Sequence, residues 1–326
     1  MRAAVYDHVG PAREVLSIVE LRDPHPGPGE VRVKLMRSGV NPSDVKSRSG
    51  YRSPVLPFPQ ITPHSDGAGV IDEVGLDIAT TRKGERVWIW NGCWGRAFGT
   101  AADYIVVPSA QAVSLPDGVD FDAGACFGIP ALTALYAVTM DGGVAGKTVL
   151  IAGGAGAVGH YAIQFAKLHG ATRILTTVSS EAKAALARAA GADVIINYRT
   201  ESVVERVQAA CGQVDRVIEL DLAANLTTDI AVLKPDCDIV VYGSGKAEIG
   251  VPFAASIIKN IRYRFFMVYH LSPADRHAAE AELARALRTH RLQHNIAAHF
   301  PLSEIAAAHE AVESGQMSGN VIVDLA

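Results

Sequence analysis

The stretch TVLIAGGAGAVGHYAIQFAK, Thr148–Lys167, joins a strand-like run to a helix-like run through four glycines. The glycines include the pattern Gly154-x-Gly156-x-x-Gly159, and apolar residues then recur at helical spacing. Glycine lets the main chain approach a phosphate closely, and a helix N-terminus offers unpaired N–H groups. Strand, glycine turn and helix in this order therefore predict a pyrophosphate-binding loop of a dinucleotide fold. A glycine-rich turn without a ligand is the alternative.

The next strand-like run, RILTTV, ends at Ser179 and Ser180. NAD-binding sites usually carry an acid here to hold the ribose 2′-hydroxyl. Hydroxyls with a cation nearby, Lys183, suit the 2′-phosphate of NADPH better than a bare hydroxyl. Glu181 is the competing signal for NAD, although an acid in the first turn of a helix is also explained by the helix dipole. Ser180 can likewise be an N-cap. The sequence therefore favours NADPH.

Composition and charge restrict the classes of protein to consider. A chain of 326 residues with 49% apolar residues predicts two globular domains, and a net charge of −4 makes nucleic acid an unlikely partner. Two uncharged runs, 123–140 and 148–166, contain glycine or proline, so we expect no membrane span. No signal peptide is recognised. The four cysteines lack disulfide or zinc-finger spacing, which predicts buried, reduced thiols and a cytoplasmic protein.

The pattern of predicted strands, helices and turns changes twice along the chain. Up to about residue 122, proline- and glycine-rich turns separate short strand-like runs such as VRVKL and RVWIW, which predicts a mainly β unit. From about 123 to 265, strand-like and helix-like runs alternate, as in parallel sheets with helical crossovers. Beyond 266, we predict helices near 275–289 and 303–314 and a closing strand, VIVDL. The fold class is therefore α/β with a doubly wound parallel sheet.

Segments along the whole chain together resemble the medium-chain dehydrogenases/reductases, and most closely the zinc-independent quinone oxidoreductases of the zeta-crystallin type. The segments keep the family's order: GVNPSDVKSRSGY, PHSDGAGVIDEVG, FGIPALTALYA, IAGGAGAVGHYAIQFAK, GADVIINYR, VIELDLAANL and SGNVIVDL. The resemblance implies a Rossmann domain, 123–265, inserted in a mainly β, GroES-like catalytic domain, 1–122 and 266–326. It also implies that NADPH lies in the cleft between these domains and that the protein is a homodimer.

The zinc-binding positions of related dehydrogenases are altered in this sequence. Asn41 stands where zinc relatives carry a cysteine, and Ser65, next to His64, stands where they carry a histidine. Asparagine and serine are poor zinc ligands beside cysteine and histidine, so we expect no metal. His290 and His294 lie four residues apart, as on a helix face, but lack the glutamate of an HExxH motif. We interpret them as solvated polar residues.

The resemblance also assigns roles to individual residues. Without zinc, the Asn41 amide and the Tyr51 hydroxyl are the candidate catalytic donors to charge developing on the acceptor oxygen. Packing for Tyr51 and a bond back to its own helix for Thr133 remain alternatives. Asn320 stands where the family commonly has lysine. The positions matched to cofactor binding are Asn41, Tyr51, Thr133, Ala155, Gly156, Ala157, Val158, Ser179, Lys183, Tyr198, Asn225, Tyr242, Gly243, Ser244, Gly245, Phe266, Met267, Val268 and Asn320.

The reaction expected from this resemblance is hydride transfer from NADPH to a quinone. The cofactor supplies the chemistry, and the protein orients it and excludes water. Two alternatives remain open. One is NADPH-dependent reduction of an α,β-unsaturated carbonyl compound, such as an enone, an enal or an enoyl thioester. The other is a low-turnover protein that only binds NADPH.

Overall fold

The computed structural model describes residues 1–289 and 292–326. These residues form two compact units. The first unit holds 1–130, 287–289 and 296–326, and the second holds 131–286 and 292–295. Residues 266–286 thus pack with the second unit, whereas the sequence-based division assigned them to the catalytic domain. The predicted boundaries between the catalytic and the dinucleotide-binding domain, at 122 and 265, stay a prediction.

The first unit is built mainly of β-strands. Its strands are β1 (Arg2–Val5), β2 (Ser17–Glu20), β3 (Glu30–Val40), β4 (Asp66–Val74), β5 (Arg86–Ile89), β6 (Tyr104–Pro108), β7 (Ala112–Ser114), β14 (Ile296–Pro301) and β15 (Asn320–Asp324). Its helices are α1 (Ala12–Val15), α2 (Pro42–Arg48), α3 (Phe121–Gly124) and α11 (Ile305–Glu313). The proline- and glycine-rich segments of the sequence form the connections between these short elements.

One largely antiparallel sheet organises this unit. Its order is β14-β15-β3-β4-β5-β7, and β6 also pairs with β3. Along β3, Val31, Val33 and Leu35 are buried while Lys34 is exposed, because alternate residues of a strand face opposite sides of the sheet. Apolar residues of α11, including Ile305, join the same core. The run VRVKL therefore forms the predicted strand with one face in the core.

The second unit alternates strands and helices. Its strands are β8 (Thr148–Ile151), β9 (Arg173–Val178), β10 (Val194–Asn197), β11 (Val214–Glu219), β12 (Leu233–Val241) and β13 (Arg262–Phe265). Its helices are α4 (Leu132–Thr139), α5 (Ala157–Leu168), α6 (Glu181–Ala190), α7 (Val203–Cys211), α8 (Leu222–Val232), α9 (Phe253–Ile258) and most of α10 (Pro273–Arg288). Gly191 ends α6 with φ 104°, the left-handed conformation of a glycine C-cap.

All six strands of the second unit are parallel. Their order is β10-β9-β8-β11-β12-β13, so the chain reverses direction across the sheet between β8 and β11. This is the doubly wound order of the Rossmann fold, in which ligands bind outside the carboxyl ends of the strands at the reversal. β8 is buried along Val149–Ile151, as expected for a strand covered on both faces.

The burial of the cysteines and the structure of the two apolar runs can be compared with the sequence-based expectations. Of the four cysteines, only Cys126 is buried, while Cys93, Cys211 and Cys237 are half-buried, so the expectation that all four are buried is wrong. The apolar runs at 123–140 and 148–166 divide into short helices, a strand and turns. Among the described residues, no helix has both the length and the apolar character needed to cross a bilayer.

Candidate active site

The glycine loop, residues 152–156, connects β8 to α5. Gly153 has φ +67° and donates to Thr177 Oγ1 at 3.1 Å, while Gly156 donates to Gly153 O at 2.9 Å. A Cβ on Gly159 would lie 2.2 Å from Gly153 O, so only glycine lets α5 pack this close to the loop. A Cβ on Gly156 would approach only Gly153 O, at 3.2 Å, which leaves open space in front of the helix.

The N-terminus of α5 faces this open space. Gly156 is the N-cap and Ala157 and Val158 are the first helical residues, preceded by Ala155. Their N–H groups have no acceptor within the helix, because intrahelical bonds begin four residues on, at His160 N to Gly156 O. The loop therefore presents main-chain donors and the positive end of a helix dipole, as a pyrophosphate requires.

The other predicted residues of the second unit follow the same edge of the sheet. Ser179, Tyr198, Tyr242 and Phe266 each come directly after a strand, namely β9, β10, β12 and β13. The main-chain N–H groups of Tyr198, Tyr242 and Phe266 each donate a hydrogen bond to the neighbouring strand. The donor–acceptor distances are 3.1, 3.1 and 3.2 Å, respectively. Residues far apart in sequence are thus brought to one edge, because parallel strands share their carboxyl ends.

At the end of β9, hydroxyl groups and a cation replace an acid. Ser180 is the N-cap of α6, and its Oγ accepts from Lys183 N at 3.3 Å. Ser179 and Lys183 are half-buried. The Glu181 side chain is 86% exposed and lies 3.5 Å from Nη2 of Arg188, which is two helical turns further along α6. Glu181 is therefore a solvated acid of the first helical turn, and Ser180 serves as a cap.

Asn225 is held by a buried acid that the sequence reading did not single out. Glu219 ends β11, and its Oε1 accepts from Asp221 N at 2.5 Å and from Asn225 Nδ2 at 3.0 Å. Asp229 lies one helical turn beyond Asn225 on α8 and interacts with Glu219. Burial, and the charge of Glu219, raise the pKa of Asp229 to about 9, and burial also raises the pKa of Glu219.

The segment after β12 packs against the turn after β11. A Cβ on Gly243 would lie 2.2 Å from Leu220 O, so the two turns are in close contact. Gly245 N donates to Asp221 Oδ1 at 2.7 Å, and Ser244 Oγ donates to Lys246 O at 2.7 Å. Burial, with the nearby charge of Glu219, raises the pKa of Tyr242. Gly243 is therefore required where these two turns meet at the carboxyl edge of the sheet, whereas Gly245 contacts only the Asp221 carboxylate.

Phe266, Met267 and Val268 follow β13 and pack within the second unit. The Phe266 ring lies edge-on to Tyr136, with 5.1 Å between centroids. Val268 is buried, and its carbonyl accepts from Arg276 Nη2 at 2.6 Å. Thr133 is buried in the first turn of α4. The structure thus gives Phe266 and Val268 packing contacts besides their predicted main-chain role.

In the first unit, Asn41 occupies a buried polar position at the start of α2. Its main-chain N–H donates to Asp44 Oδ2 at 2.8 Å, and its side-chain Nδ2 donates to Asp66 Oδ2 at 2.9 Å. Burial raises the pKa of Asp44 to about 7. Tyr51 follows α2, is 47% exposed and lies under Lys46 Nζ at 5.1 Å. Asn41 is thus fixed in orientation, whereas the Tyr51 ring faces solvent.

The second altered zinc position lies beside a buried histidine pair. Ser65 is buried, and its main-chain carbonyl accepts a hydrogen bond from Gly92 N at 2.9 Å. His64 Nδ1 lies 2.8 Å from Ser38 Oγ, and His64 Nε2 lies 2.9 Å from His309 Nε2. Burial lowers the pKa of His64 well below its usual value and the pKa of His309 to about 3. Both His64 ring nitrogens therefore have protein partners.

Other candidate ligand positions give little support for a metal. Within the described residues, Asp122, His299 and Asp324 place ligand atoms within 4.8 Å of one another. Arg37 Nε lies 2.5 Å from Asp122 Oδ1 and 3.1 Å from Asp324 Oδ1, so a guanidinium already pairs with both carboxylates of this cluster. Asn320 is buried at the start of β15.

His290 lies outside the described residues. His294 follows α10 in an irregular segment, and its Nδ1 lies 2.8 Å from Tyr161 Oη. The interpretation of His294 as a solvated residue on a helix face is therefore wrong. The segment that contains His294 packs on α5, and the periodicity of the sequence cannot predict such a contact between distant residues.

Two family models and many known proteins match this chain. A model described as alcohol dehydrogenase GroES-like domain matches residues 27–117, and one described as zinc-binding dehydrogenase matches residues 157–286. A human protein named quinone oxidoreductase is 30% identical over 322 residues, which cover 97% of this chain and 94% of that protein. The chain belongs to the quinone oxidoreductases of the medium-chain dehydrogenase/reductase superfamily. As a medium-chain oxidoreductase, it combines a GroES-like N-terminal domain with a Rossmann-type sheet.

Solved structures agree with this membership of the superfamily. An Escherichia coli quinone oxidoreductase complexed with NADPH has a TM-score of 0.88 and 25% identity, over 99% of this chain and 100% of that one. A protein described as an NAD-dependent alcohol dehydrogenase has a TM-score of 0.90 and 29% identity over 100% of both chains. The fold of the medium-chain oxidoreductase is therefore shared by proteins with different cofactors and substrates.

The residues that sequence reasoning missed are buried polar partners of those it found. Glu219 accepts a hydrogen bond from Asn225 and interacts with Asp229, and Asp66 orients Asn41. One signal could have indicated Glu219, since an acid at the end of an otherwise apolar strand, as in RVIEL, lies where Rossmann oxidoreductases bind their ligands.

Proposed function

We propose that this oxidoreductase transfers hydride from NADPH to a quinone without the help of zinc. The observation that carries the proposal is the buried pair of Asn41 and Asp66, in which an amide hydrogen-bonded to a carboxylate stands at a position where zinc relatives have a cysteine. A neutral amide beside a single carboxylate is a poor site for catalytic zinc. The similarity to proteins named quinone oxidoreductases supports the choice of acceptor.

The residues of the second unit fit NADPH on the evidence of their own geometry. The open space before Gly156 suits a pyrophosphate, which the N–H groups of Ala157 and Val158 would hold. Asn225, Tyr242 and the segments 243–245 and 266–268 lie along the remainder of the carboxyl edge. We assign these segments to the nicotinamide half of the cofactor.

The preference for the phosphorylated cofactor rests on the end of β9. Ser179 offers a hydroxyl and Lys183 a cation, and Tyr198 follows the adjacent strand β10. Glu181, the acid that could instead favour NAD, is exposed and paired with Arg188. A 2′-phosphate carries negative charge, so a lysine without an opposing acid selects for it.

The bound cofactor would supply the hydride, and Asn41 and Tyr51 would stabilise the acceptor. A carboxamide nitrogen carries two hydrogens, so Asn41 Nδ2 can donate one to Asp66 and the other to a carbonyl oxygen. Because Asp66 fixes the amide, no reorganisation is needed when charge develops on that oxygen. The Tyr51 hydroxyl is the second proposed donor, and Thr133 and Asn320 are proposed to contact the cofactor.

The test is a panel of acceptors offered with NADPH or NADH to protein of known zinc content. We expect NADPH oxidation with ortho- and para-quinones, unchanged by a chelator and without stoichiometric zinc. Much faster turnover of enones or enoyl thioesters would identify an alkene reductase instead. Tight NADPH binding without turnover of any acceptor would identify a low-turnover binding protein. Activity lost with the chelator, or stoichiometric zinc, would overturn the metal-free mechanism.

We further propose that the protein acts as a cytoplasmic homodimer on small molecules. Exposed apolar side chains at the edge of the parallel sheet support the dimer, because an exposed apolar sheet edge tends to associate with another chain. The net charge of −4 gives no support to a nucleic-acid partner.

A further inference from the structure

Two buried carboxyl groups at the carboxyl edge of the parallel sheet have no part in the proposed hydride transfer. Glu219 is the last residue of β11, and Asp229 lies on α8, which follows it. Their exposed fractions are 0% and 2%, respectively. Two carboxylates next to each other in a buried place repel each other and lose their hydration, so both cannot be ionised at neutral pH.

The hydrogen bonds around the pair indicate which group is ionised. Glu219 Oε1 accepts from two N–H donors, Asp221 N and Asn225 Nδ2, which stabilise a negative charge. Over the described part of the chain, Glu219 Oε2 and Asp229 Oδ2 are buried without any hydrogen-bond donor. A single proton on Asp229, donated to Glu219, satisfies both groups. A buried acid pair with two orphaned oxygens otherwise has no explanation.

We propose that Glu219 and Asp229 share one proton and act as a positioning pair for the cofactor edge of the sheet. The proposal rests on the proposed function only in taking this edge as the site of NADPH. The ionised Glu219 fixes the Asn225 amide with its nitrogen turned inward. The same carboxylate fixes the main chain at Asp221, whose own carboxylate holds Gly245 N at 2.7 Å. One buried pair thus sets the positions of two cofactor-binding segments.

The groups around the pair come from β11, the turn that follows it, α8 and the end of β12. Glu219 comes from β11, Asp229 and Asn225 come from α8, and Tyr242 stands at the end of β12, where the charge of Glu219 helps to raise its pKa. Loss of the shared proton would therefore put a second negative charge against Glu219 and beside a neutral phenol. We expect this to destabilise the second unit and to release the Asn225 amide.

The first experiment uses the cofactor-free full chain and compares the wild type with Asp229→Asn. The amide keeps a donor toward Glu219 but cannot lose a proton. We expect infrared spectra to show a carboxylic-acid band in the wild type that is absent from Asp229→Asn. Between about pH 5 and 8, the unfolding equilibrium constant of the wild type relative to the variant should rise by up to tenfold per pH unit. Identical spectra and parallel stability curves would overturn the shared proton.

The matched control is Asp238→Asn, a buried acid of the same sheet held by arginines. Burial opposes ionisation of Asp238, but Arg262 and Arg216 outweigh it and lower its pKa. Asp238→Asn should reduce stability by the same factor at every pH between about 5 and 8, because Asp238 is already ionised there in both states. The carboxylic-acid band should persist in this variant.

The second experiment measures the dissociation constant of NADPH. Asp229→Leu removes the donor to Glu219, and we expect NADPH to bind at least tenfold more weakly, with Asp229→Asn restoring most of the affinity. Asp238→Asn should bind NADPH as the wild type does. Equal affinity of Asp229→Leu and the wild type would overturn the positioning role. If Asp229→Leu does not fold, an Asp229→Asn protein with tenfold weaker binding would overturn it as well. Failure of the wild type to bind NADPH would refute the proposed function, while the infrared and pH results would still decide the shared proton.

Discussion

At the end of β9, the side chains leave one cation, Lys183, close to the position predicted for the ribose of the cofactor. Ser180 uses its hydroxyl to cap α6, so Ser179 and Lys183 are the groups left to meet a ribose substituent. Glu181 is turned to solvent and to Arg188. The local balance of charge is therefore positive, and we predict that the discrimination between NADPH and NADH depends on Lys183.

Lys183→Ala should weaken NADPH binding by roughly ten- to a hundredfold, the worth of one charge-assisted hydrogen bond. NADH affinity should change by less than about twofold, because NADH has no 2′-phosphate. Isothermal titration of both cofactors measures this difference. Arg206→Ala, on an exposed part of the helix α7, is the control and should alter neither affinity. An equal loss for both cofactors would remove the 2′-phosphate assignment.

The His64–His309 pair is a second feature decided by individual side chains. Both residues are fully buried, and their rings stack with 5.1 Å between centroids. An added proton on either ring would put a positive charge in a place that water does not reach. Burial, together with Arg48 in the case of His309, therefore lowers the pKa of each histidine.

This pair should make the protein acid-sensitive. A histidine with a folded-state pKa below its unfolded value contributes stability above about pH 6.5, and that stability is lost as the pH falls. Between pH 7.5 and 5 we expect a loss of about 2 kcal/mol in unfolding free energy for each such histidine. His309→Leu should reduce this pH dependence, measured by urea denaturation. The exposed His8→Gln should leave it unchanged, and an unaltered slope in His309→Leu would contradict the assignment.

At the scale of elements, the glycine loop and α5 form one unit with two distinct requirements for glycine. Gly159 is needed because a Cβ there would collide with Gly153 O at 2.2 Å. Gly156 has φ −76°, which any residue can adopt, and a Cβ there would meet only Gly153 O, in a tight contact at 3.2 Å. One glycine therefore serves packing within the fold, and the other leaves room for a ligand.

Alanine substitutions should separate these two requirements. Gly159→Ala should cost about 1–3 kcal/mol of unfolding free energy, as overpacking of a tight contact does. Gly156→Ala should cost less stability than Gly159→Ala, because its closest contact is 3.2 Å and not 2.2 Å, but it should weaken both NADPH and NADH by about tenfold, because a methyl group would occupy the predicted pyrophosphate space. Thermal unfolding and cofactor titration of both variants test this. A Gly156→Ala protein with full affinity would show that the loop holds no pyrophosphate.

At the scale of the whole molecule, β13 ends the parallel sheet as an edge strand. Phe265 on this strand is 64% exposed, and Ile258, at the end of the preceding helix α9, is 80% exposed. Exposed apolar residues beside an unpaired strand edge favour association with another chain. The predicted homodimer would use this surface.

Phe265→Lys should therefore shift the protein from dimer to monomer, measured by light scattering coupled to size-exclusion chromatography. Burying a lysine charge in an apolar contact is unfavourable, so the dimer should dissociate at micromolar concentration. Val55→Lys, which also replaces an exposed apolar residue but lies in the first unit, is the matched control and should remain dimeric. A monomeric wild type would contradict the predicted homodimer.

Much of the fold could be predicted because its signals are local. The period-two pattern of VRVKL, the glycine pattern after β8, and the capped helix α6 each appear within about a dozen residues. The packing of 266–286 with the second unit and the return of His294 to Tyr161 could not be predicted, because each depends on contacts between distant segments. The roles of Asn41 and Tyr51 stay a prediction.

The sequence by itself determined the parallel α/β sheet, the glycine turn and the helix that follows it, because strand, turn and helix propensities act between near neighbours. Only the tertiary structure decided how buried polar groups are paired. Glu219 meets Asp229 across a strand and a helix, and His64 meets His309 over a separation of 245 residues. A buried charge or ring nitrogen takes its properties from whatever surrounds it in space, so its partner and its pKa exist only once the chain is folded.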